Sequence, residues 1–530
     1  MATTARLFTN ATLRTPDPAP PGHDSVAVLD GEIAAVGDRA TAEAALPEVH
    51  EVVDVGGRTL APGFIDAHVH PLPMCFFEHN EDLGECTSLE EVFDRLSDRA
   101  AREPTDGWVV GMQLDDELLA ERRLPTRAEL DRVGGGRAVV LLRRDGHHAV
   151  GSTAALTAAG IFDDTPDPAG GVIHRDEDGR LTGLCGERAS SMLMTGVPLP
   201  ELEEFEAALD RVVARFARHG VTALSAMCQT SAEGPAGEAG ALEWAAWSML
   251  VDRVPFDLQT ILVAPTLAQV EELSTGPLHQ PGSDRRLDAV KLFLDGTLGG
   301  HTACMHAPYT DGDGSGLLTL DPDAAYLRIA EAHLAGLQVC IHAIGDKANA
   351  TAAELFARLY REHPAAPELN RHRIEHASVL DEPTVELLAA NGVSAVVQPI
   401  SLHSEQHWLA KRLGERVERV YPYRHLLDAG VVVAGSSDAP IESIDVVAAM
   451  SCAVDRLGFA PGQALTPSEA LDIYTTGGAR ARRSEDRVGS LAPGLRADLV
   501  ELEGDLDVAI EGLEVTATTC AGVDLYRRAG

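Results

Sequence analysis

Apolar and polar positions along the chain fall into three regimes, and the longest of them alternates short apolar runs with segments of helical period. The runs are Phe64–His68, Val221–Ala226, Phe256–Val263, Ala289–Leu294, Leu337–Ile341, Arg373–Glu375, Val393–Val397 and Val431–Ala434. Most are nearly continuous in apolar residues, which is the pattern of strands covered on both faces, as in a parallel sheet. Amphipathic helices precede many of them. The clearest is Glu201–His219, with Leu202, Phe205, Leu209, Val212, Val213 and Phe216 at helical spacing and Gly220 as a stop signal. Eight strand–helix units predict a closed (β/α)8 TIM barrel more readily than an open sheet.

The two ends of the chain read differently. Arg6–Asn10, Ser25–Leu29, Glu32–Val36 and Glu51–Val55 are strand-like, with a hairpin-type turn at Asp30-Gly31. Asp498–Leu502 is strand-like too, and Val515–Thr518 with Gly522–Tyr526 predicts a last hairpin. The pattern leaves open whether these ends pair into one small β-sandwich. A third regime separates the first and second barrel strands by about 150 residues, far more than a βα connection of a few residues needs. Within it, Trp108–Gly111 and Ala138–Leu142 predict strands, and Asp176-Glu177-Asp178-Gly179 predicts a hairpin turn. Residues from about 72 to 200 are therefore expected to form an inserted α+β subdomain over the barrel mouth. The expected organisation is residues 1–62 as the first part of a β-sandwich, 63–480 as the barrel with its insertion, and 481–530 as the second part. The fold class is α/β.

Composition narrows the function. A formal net charge of −39, from 82 acidic against 43 basic residues, argues against nucleic acid and anionic membrane surfaces as partners. No run approaches about 18 uninterrupted apolar residues, so no membrane-spanning helix is expected. The eight cysteines are scattered without a C-x-x-C pair, and the N-terminus lacks the basic-then-apolar pattern of a signal peptide. Both features read as a reduced, cytoplasmic protein. Arg480, Arg482 and Arg483 form a short basic cluster that reads as a solvated face.

The candidate chemistry lies where barrel strands end, which is where active sites of this fold are built. The first strand runs into Asp66-Ala67-His68-Val69-His70, and residues two apart in a strand face the same side. His68 and His70 can therefore bind one ion together. His342 ends the fifth strand, His376 ends the sixth, and Asp438 follows the eighth. Singly, each is more often a satisfied core or loop residue; four strand ends with metal-capable side chains in one barrel argue for a centre. Lys291 lies within Asp288-Ala289-Val290-Lys291-Leu292-Phe293, and it is one of only three lysines in the chain, with Lys347 and Lys411. It could simply pair with Asp288 or Asp295. A chain that otherwise uses arginine, however, points here to chemistry that a guanidinium cannot do. A desolvated amine loses its proton more readily and can take up CO₂ as a carbamate able to bridge two cations.

The chain resembles the amidohydrolase superfamily, specifically its YtcJ-like branch (amidohydrolase family 3), which includes N-substituted formamide deformylases. The matching segments are LAPGFIDAHVH (60–70), RRDGHHA (143–149), VKLFLDGTLGGHTA (290–303), IHAIGDKA (341–348), RIEHA (373–377) and VVQP (396–399). They continue through WLAKRLGERVERVYPYRHLLDAGVVVAGSSDAP (408–440), LTPSEALDIYTTGGA (465–479) and VGSLAPGLRADLVELE (488–503). The resemblance implies a barrel with a small β-sandwich from both termini, and commonly a two-metal site. On the matching positions, His68 and His70 would bind the first metal with Asp438, Lys291 carboxylated on N6 would bridge, and His342 and His376 would hold the second. The implied cofactor is two Zn²⁺ per chain, with Fe, Mn or Ni as alternatives. Two segments depart from the branch, His301 where it usually has arginine and Gly111-Met112-Gln113-Leu114-Asp115 where it tends to have G-W-D; both are expected to face substrate.

The expected function is hydrolysis of a C–N bond in a non-peptide amide, formamide or N-acyl compound by a metal-activated hydroxide, with Asp438 as proton shuttle. Deamination of a cyclic amidine or heterocycle is the alternative within enzymes. A non-catalytic small-molecule-binding regulatory barrel is the alternative outside them. His147, His301, Gln398 and Trp408 are candidates to line the pocket, each with a plain structural role as the competing explanation. Asp346 is expected either to orient a ligand or to cap the helix after the fifth strand. The expected partner is a small-molecule substrate, and a homodimer is the candidate assembly.

Overall fold

The computed structural model describes residues 4–14, 20–104, 106–144, 146, 148–168, 171–198, 200–231, 240–263, 265–273, 284–364, 371–506 and 509–529. The chain divides into two compact units, one of residues 1–70, 213–227 and 251–530 and the other of residues 71–212 and 228–250.

The first unit is built on an eight-stranded parallel sheet. Its strands are β1 (Phe64–Val69), β2 (Val221–Gln229), β3 (Asp257–Val263), β4 (Arg285–Phe293), β5 (Gln338–Ala343), β6 (Arg373–His376), β7 (Ser394–Val397) and β8 (Val433–Gly435). They neighbour one another in chain order. The ring closes just beyond β8, where Asp438 N donates to His68 O and His70 N donates to Ala439 O, both at 2.8 Å. β1, β2, β3, β5, β6, β7 and β8 are buried at every position, as their near-continuous apolar runs predict. The expected helix runs over Leu202–Arg218 and buries Leu209, Val212 and Phe216, whereas Leu202 lies exposed at its start. Gly220 ends it with φ +82°, and a Cβ there would strike the Phe64 ring at 2.7 Å.

Both chain ends also belong to this unit. The strand Ala5–Thr9 lies between Ser25–Leu29 and Glu51–Asp54 in a four-stranded sheet completed by Glu32–Gly37. A five-stranded sheet joins Thr12–Leu13 and Thr59–Pro62 to Leu499–Glu503, Glu514–Cys520 and Val523–Arg527. One hydrophobic cluster draws on both sheets, with Phe8, Val26, Val28, Ile33 and Val55 against Leu60, Leu491 and Leu499. Arg6 ties the ends together, its guanidinium donating to Asp524 Oδ1 at 2.8 Å and to Gly522 O at 3.0 Å.

The second unit is a six-stranded mixed sheet in the order Gly171–Arg175, Leu181–Glu187, His148–Gly151, Ala138–Arg143, Trp108–Leu114 and Glu81–Asp82. The predicted hairpin is present, with Asp176 N donating to Arg180 O at 2.9 Å and Gly179 at φ +79°. Its two cores centre on Leu96, Leu130 and Leu141, and on Val140, Ile173 and Leu193. All eight cysteines of the chain are free and buried. Among the described residues, no helix is long and apolar enough to cross a membrane.

One sequence expectation is overturned. Arg482 is not part of a solvated face but is fully buried. Its guanidinium donates to Asp257 Oδ1 at 2.9 Å, to Leu224 O at 2.9 Å and to Ser225 Oγ at 3.1 Å. It thereby pins the turn after the helix Thr476–Ala481 to β2 and to the first residue of β3. Spacing could not reveal this, because the acid that pairs with Arg482 lies 225 positions away. Asp257 also pairs with Arg487 through its other oxygen, so loss of Arg482 removes buried hydrogen bonds without leaving the carboxylate unpaired. Arg482→Ala is accordingly expected to cost about 1.5–3 kcal/mol, read as a lower thermal midpoint by calorimetry. Arg480→Ala, at the edge of the same cluster, should change it little.

Candidate metal centre

The C-terminal ends of the barrel strands bring six predicted residues into one cluster. β1 supplies His68 from its end, and His70 stands two positions on. In register, Lys291 on β4 lies beside Cys340 on β5, His342 on β5 beside Glu375 on β6, and His376 beside Ala343. Asp438 follows β8 by three residues. His376, Ala377 and Asp438 all adopt the left-handed backbone region, at φ 73°, 43° and 56°. For side chains other than glycine this costs on the order of 1–3 kcal/mol each, so the surrounding barrel must impose it.

Direct contacts link the six. His68 Nε2 and His70 Nε2 lie 3.3 and 3.2 Å from the same oxygen, Asp438 Oδ1. Lys291 Nζ lies 3.0 Å from His68 Nε2. The His68 and His376 rings are 5.1 Å apart between centroids, and His376 and His342 are 4.5 Å apart. Donor atoms of His68, His376 and Asp438 all fall within 4.8 Å of one another. Lys291 pairs with neither acid that the sequence offered, since Asp288 accepts from Arg286 and Gln259, and Asp295 accepts from backbone.

Hydrogen bonds fix which atoms remain free. His68 Nδ1 is 2.5 Å from Glu375 Oε2, which can only accept when ionised. A ring proton therefore sits on Nδ1, and in the neutral ring the Nε2 lone pair faces Lys291 and Asp438. Gln398 Oε1 lies 2.9 Å from His376 Nδ1, while Gln398 Nε2 donates to Ser436 Oγ at 2.8 Å. This amide orientation leaves the His376 Nε2 lone pair free. His342 Nε2 donates to Gly296 O at 3.1 Å, leaving Nδ1 as its open atom.

Burial sets the charges. It lowers the Lys291 amine from its ordinary value against the pull of Asp438 and Glu375. It holds His342 well below the usual imidazole value, lowers His70, and brings His376 down to about 4. The carboxylates go the other way. Burial opposes them, but Arg373 and His68 hold Glu375 down to about 2, and His68 with His70 keeps Asp438 well below the carboxylate range. Asp66, whose Oδ2 accepts from Ser437 Oγ at 2.5 Å, is pushed up to about 6 by burial. At neutral pH the centre therefore presents the neutral imidazoles of His70, His342 and His376 around an ionised Asp438.

The remaining candidates fall elsewhere. Gln398 contacts the centre through His376, as an orienting group. His301 and Trp408 belong to another linkage, in which His301 Nε2 lies 2.9 Å from Asp311 Oδ1. Arg412 Nε donates to Asp311 Oδ2 at 3.1 Å, with the guanidinium 5.0 Å from the centre of the Trp408 ring. His147 lies outside the described residues. Asp346 neither caps its helix nor reaches a ligand: Gly345 is the cap residue, and Asp346 Oδ1 accepts from His306 N at 2.8 Å. The acid beside His342 is Asp295, 3.6 Å away and pushed up to about 7 by burial. Sequence reasoning missed Glu375, Arg373, Asp66 and Asp295. For Asp66, the same two-residue rule that paired His68 with His70 was a sufficient signal.

Comparison with known proteins gives the family. A profile of the amidohydrolase family matches residues 51–524. The chain belongs to the amidohydrolase family. It is 30% identical over 529 residues to a protein of Bacillus subtilis (strain 168) named as the amidohydrolase YtcJ, covering 95% of this chain and 96% of that one. It is 28% identical over 550 residues to the N-substituted formamide deformylase of Arthrobacter pascens, covering 99% and 98%. Among solved structures, an uncharacterized metal-dependent hydrolase from Pyrococcus furiosus superposes with a TM-score of 0.75 at 27% identity, over 95% of this chain and 100% of that one. Membership makes the protein a hydrolase.

A histidine whose value is depressed in the fold stabilises it above the unfolded value of about 6.5, and that contribution is lost as pH falls through the folded value. For His376 the window runs from about 6.5 down to about 4. The metal-free protein should lose thermal stability across this range. His376→Gln should show a shallower fall, measured as the thermal midpoint against pH.

Proposed function

We propose that the protein is a metal-dependent amidohydrolase that cleaves a carbon–nitrogen bond in a small neutral amide, formamide or N-acyl compound. The observation that carries this reading is the convergence of His68, His376 and Asp438, with donor atoms within 4.8 Å of one another. The donor set fits a divalent cation of the zinc type. His68 Nε2 and Asp438 Oδ1 are both acceptors and lie 3.3 Å apart, an opposition that a shared cation relieves. His68, His70 and Asp438 would hold one ion, and His342 and His376 a second. Lys291 would bridge them as its N6-carboxylated form, with two Zn²⁺ per chain as the first choice and Fe, Mn or Ni as alternatives. A bound divalent ion lowers the pKa of water toward about 7 and polarises a carbonyl.

The chain's own residues supply the rest. Asp438 turns Oδ1 toward both β1 histidines, which leaves Oδ2 to accept a proton from the attacking water and hand it to the leaving nitrogen. Glu375 and Gln398 hold His68 and His376 by the nitrogen that faces away from the reacting atoms. His301 and Trp408 are the side chains we assign to substrate contact. The formamide class is favoured by the likeness to the deformylase. On the same reading, the two terminal sheets are the halves of a small β-sandwich, residues 1–62 and 481–530, flanking the barrel of residues 63–480 with its insertion at about 72–200. A cytoplasmic location and a homodimer complete the proposal.

Elemental analysis paired with a panel of formamides, N-acyl amino acids and cyclic amides tests it. Activity should disappear on chelation and return with added divalent ion. A protein that takes up no divalent ion and cleaves nothing on the panel would contradict the proposal. Ammonia release from a heterocycle alone would favour deamination instead. Asp438→Asn should keep most of the bound ion yet lower kcat by about 10²–10⁴-fold. Near-normal turnover in that variant would remove the proton-transfer role.

A further inference from the structure

Glu375 ligates nothing in the reading above, yet both of its carboxylate oxygens are engaged beside the centre. It is fully buried, with Oε2 2.5 Å from His68 Nδ1 and Oε1 accepting from Arg373 Nε at 2.5 Å. Arg373, also fully buried, donates through a terminal nitrogen to Ala67 O at 2.9 Å, the residue just before His68. The pair thus brackets His68 from its ring and from its backbone. An ionised carboxylate accepts and cannot donate, so the proton of a neutral His68 is confined to Nδ1. Nε2 is left as a lone pair, and it is the atom facing Asp438 and Lys291. Arg373 offsets the charge of Glu375, which lets a carboxylate stand inside the barrel beside the centre without adding a net charge to it.

We propose that Glu375, held by Arg373, is the positioning residue that fixes the tautomer and ring orientation of His68 for cation binding. The proposal rests on the reading of His68 as a metal ligand. Glu375→Gln inverts the proton placement. Arg373 donates only and claims the amide oxygen, so the amide NH₂ is turned toward His68 Nδ1 and demands a lone pair there. The His68 proton then moves to Nε2, the atom a cation needs.

Two readouts test this. In the ¹⁵N-histidine spectrum of the metal-free protein, with His68 identified by its loss in His68→Gln, the wild type should carry its proton on Nδ1 and Glu375→Gln on Nε2. Zinc affinity, measured by competition with a chromophoric chelator, should fall about 10–100-fold in Glu375→Gln. Should that variant fail to fold, Arg373→Met/Glu375→Met removes both charges at similar volume, a replacement that buried pairs often tolerate. It should also bind zinc about 10–100-fold more weakly, because His68 Nδ1 has lost its acceptor. A purely structural ion pair would leave zinc affinity unchanged in the double variant, and that result would overturn the proposal, as would a wild-type His68 protonated on Nε2. A wild type that takes up no zinc would contradict the function proposed above and this inference with it. Unchanged affinity in variants of a zinc-binding wild type contradicts this inference alone.

Discussion

The centre depends on one buried imidazole held between two carboxylates. His68 meets Glu375 through Nδ1 and faces Asp438 through Nε2, with no exposed surface of its own. Taking a carboxylate out of water costs several kcal/mol unless a partner compensates it. Glu375 has Arg373 for that purpose. Asp438 has only polarisable imidazoles and an amine whose own charge burial disfavours. On the function proposed above, a cation bound between His68 and Asp438 would supply the missing compensation.

The barrel divides its labour between its two ends. Toward the ends where the strands begin, the buried Arg482 donates to Asp257, Ser225 and the Leu224 carbonyl. Where they finish, the backbone at His376 and Asp438 is held in a conformation such residues seldom adopt, and lone pairs are left facing inward. Active sites of this fold are built at the second of these ends. The same two backbone bonds that close the ring beyond β8 also fix Asp438 against His68 and His70.

Much of this was legible in the chain. Apolar runs placed all eight strands, because strands buried on both faces leave a continuous signature. Ligand residues at strand ends were legible for the same reason. What the chain concealed was pairing across large separations. Glu375 is 307 positions from His68, and the partner of Arg482 is 225 positions away, so neither contact leaves a local trace. Gln398, a candidate for the pocket lining, also bonds His376, a contact that depends on strand order setting β7 beside β6. Asp346 is a capping candidate by position, but backbone geometry puts the cap at Gly345, and the Gly296 carbonyl holds His342.

Kinship with the amidohydrolase family carries the fold and the hydrolytic class further than it carries the substrate. The claim on which the account turns is that these six side chains share a cation. Anomalous diffraction at the zinc edge, from crystals of the zinc-loaded protein, tests it most directly. The account predicts a peak about 2.0–2.2 Å from His68 Nε2 and from an Asp438 oxygen. A peak elsewhere in the chain, with none between these two residues, would contradict it.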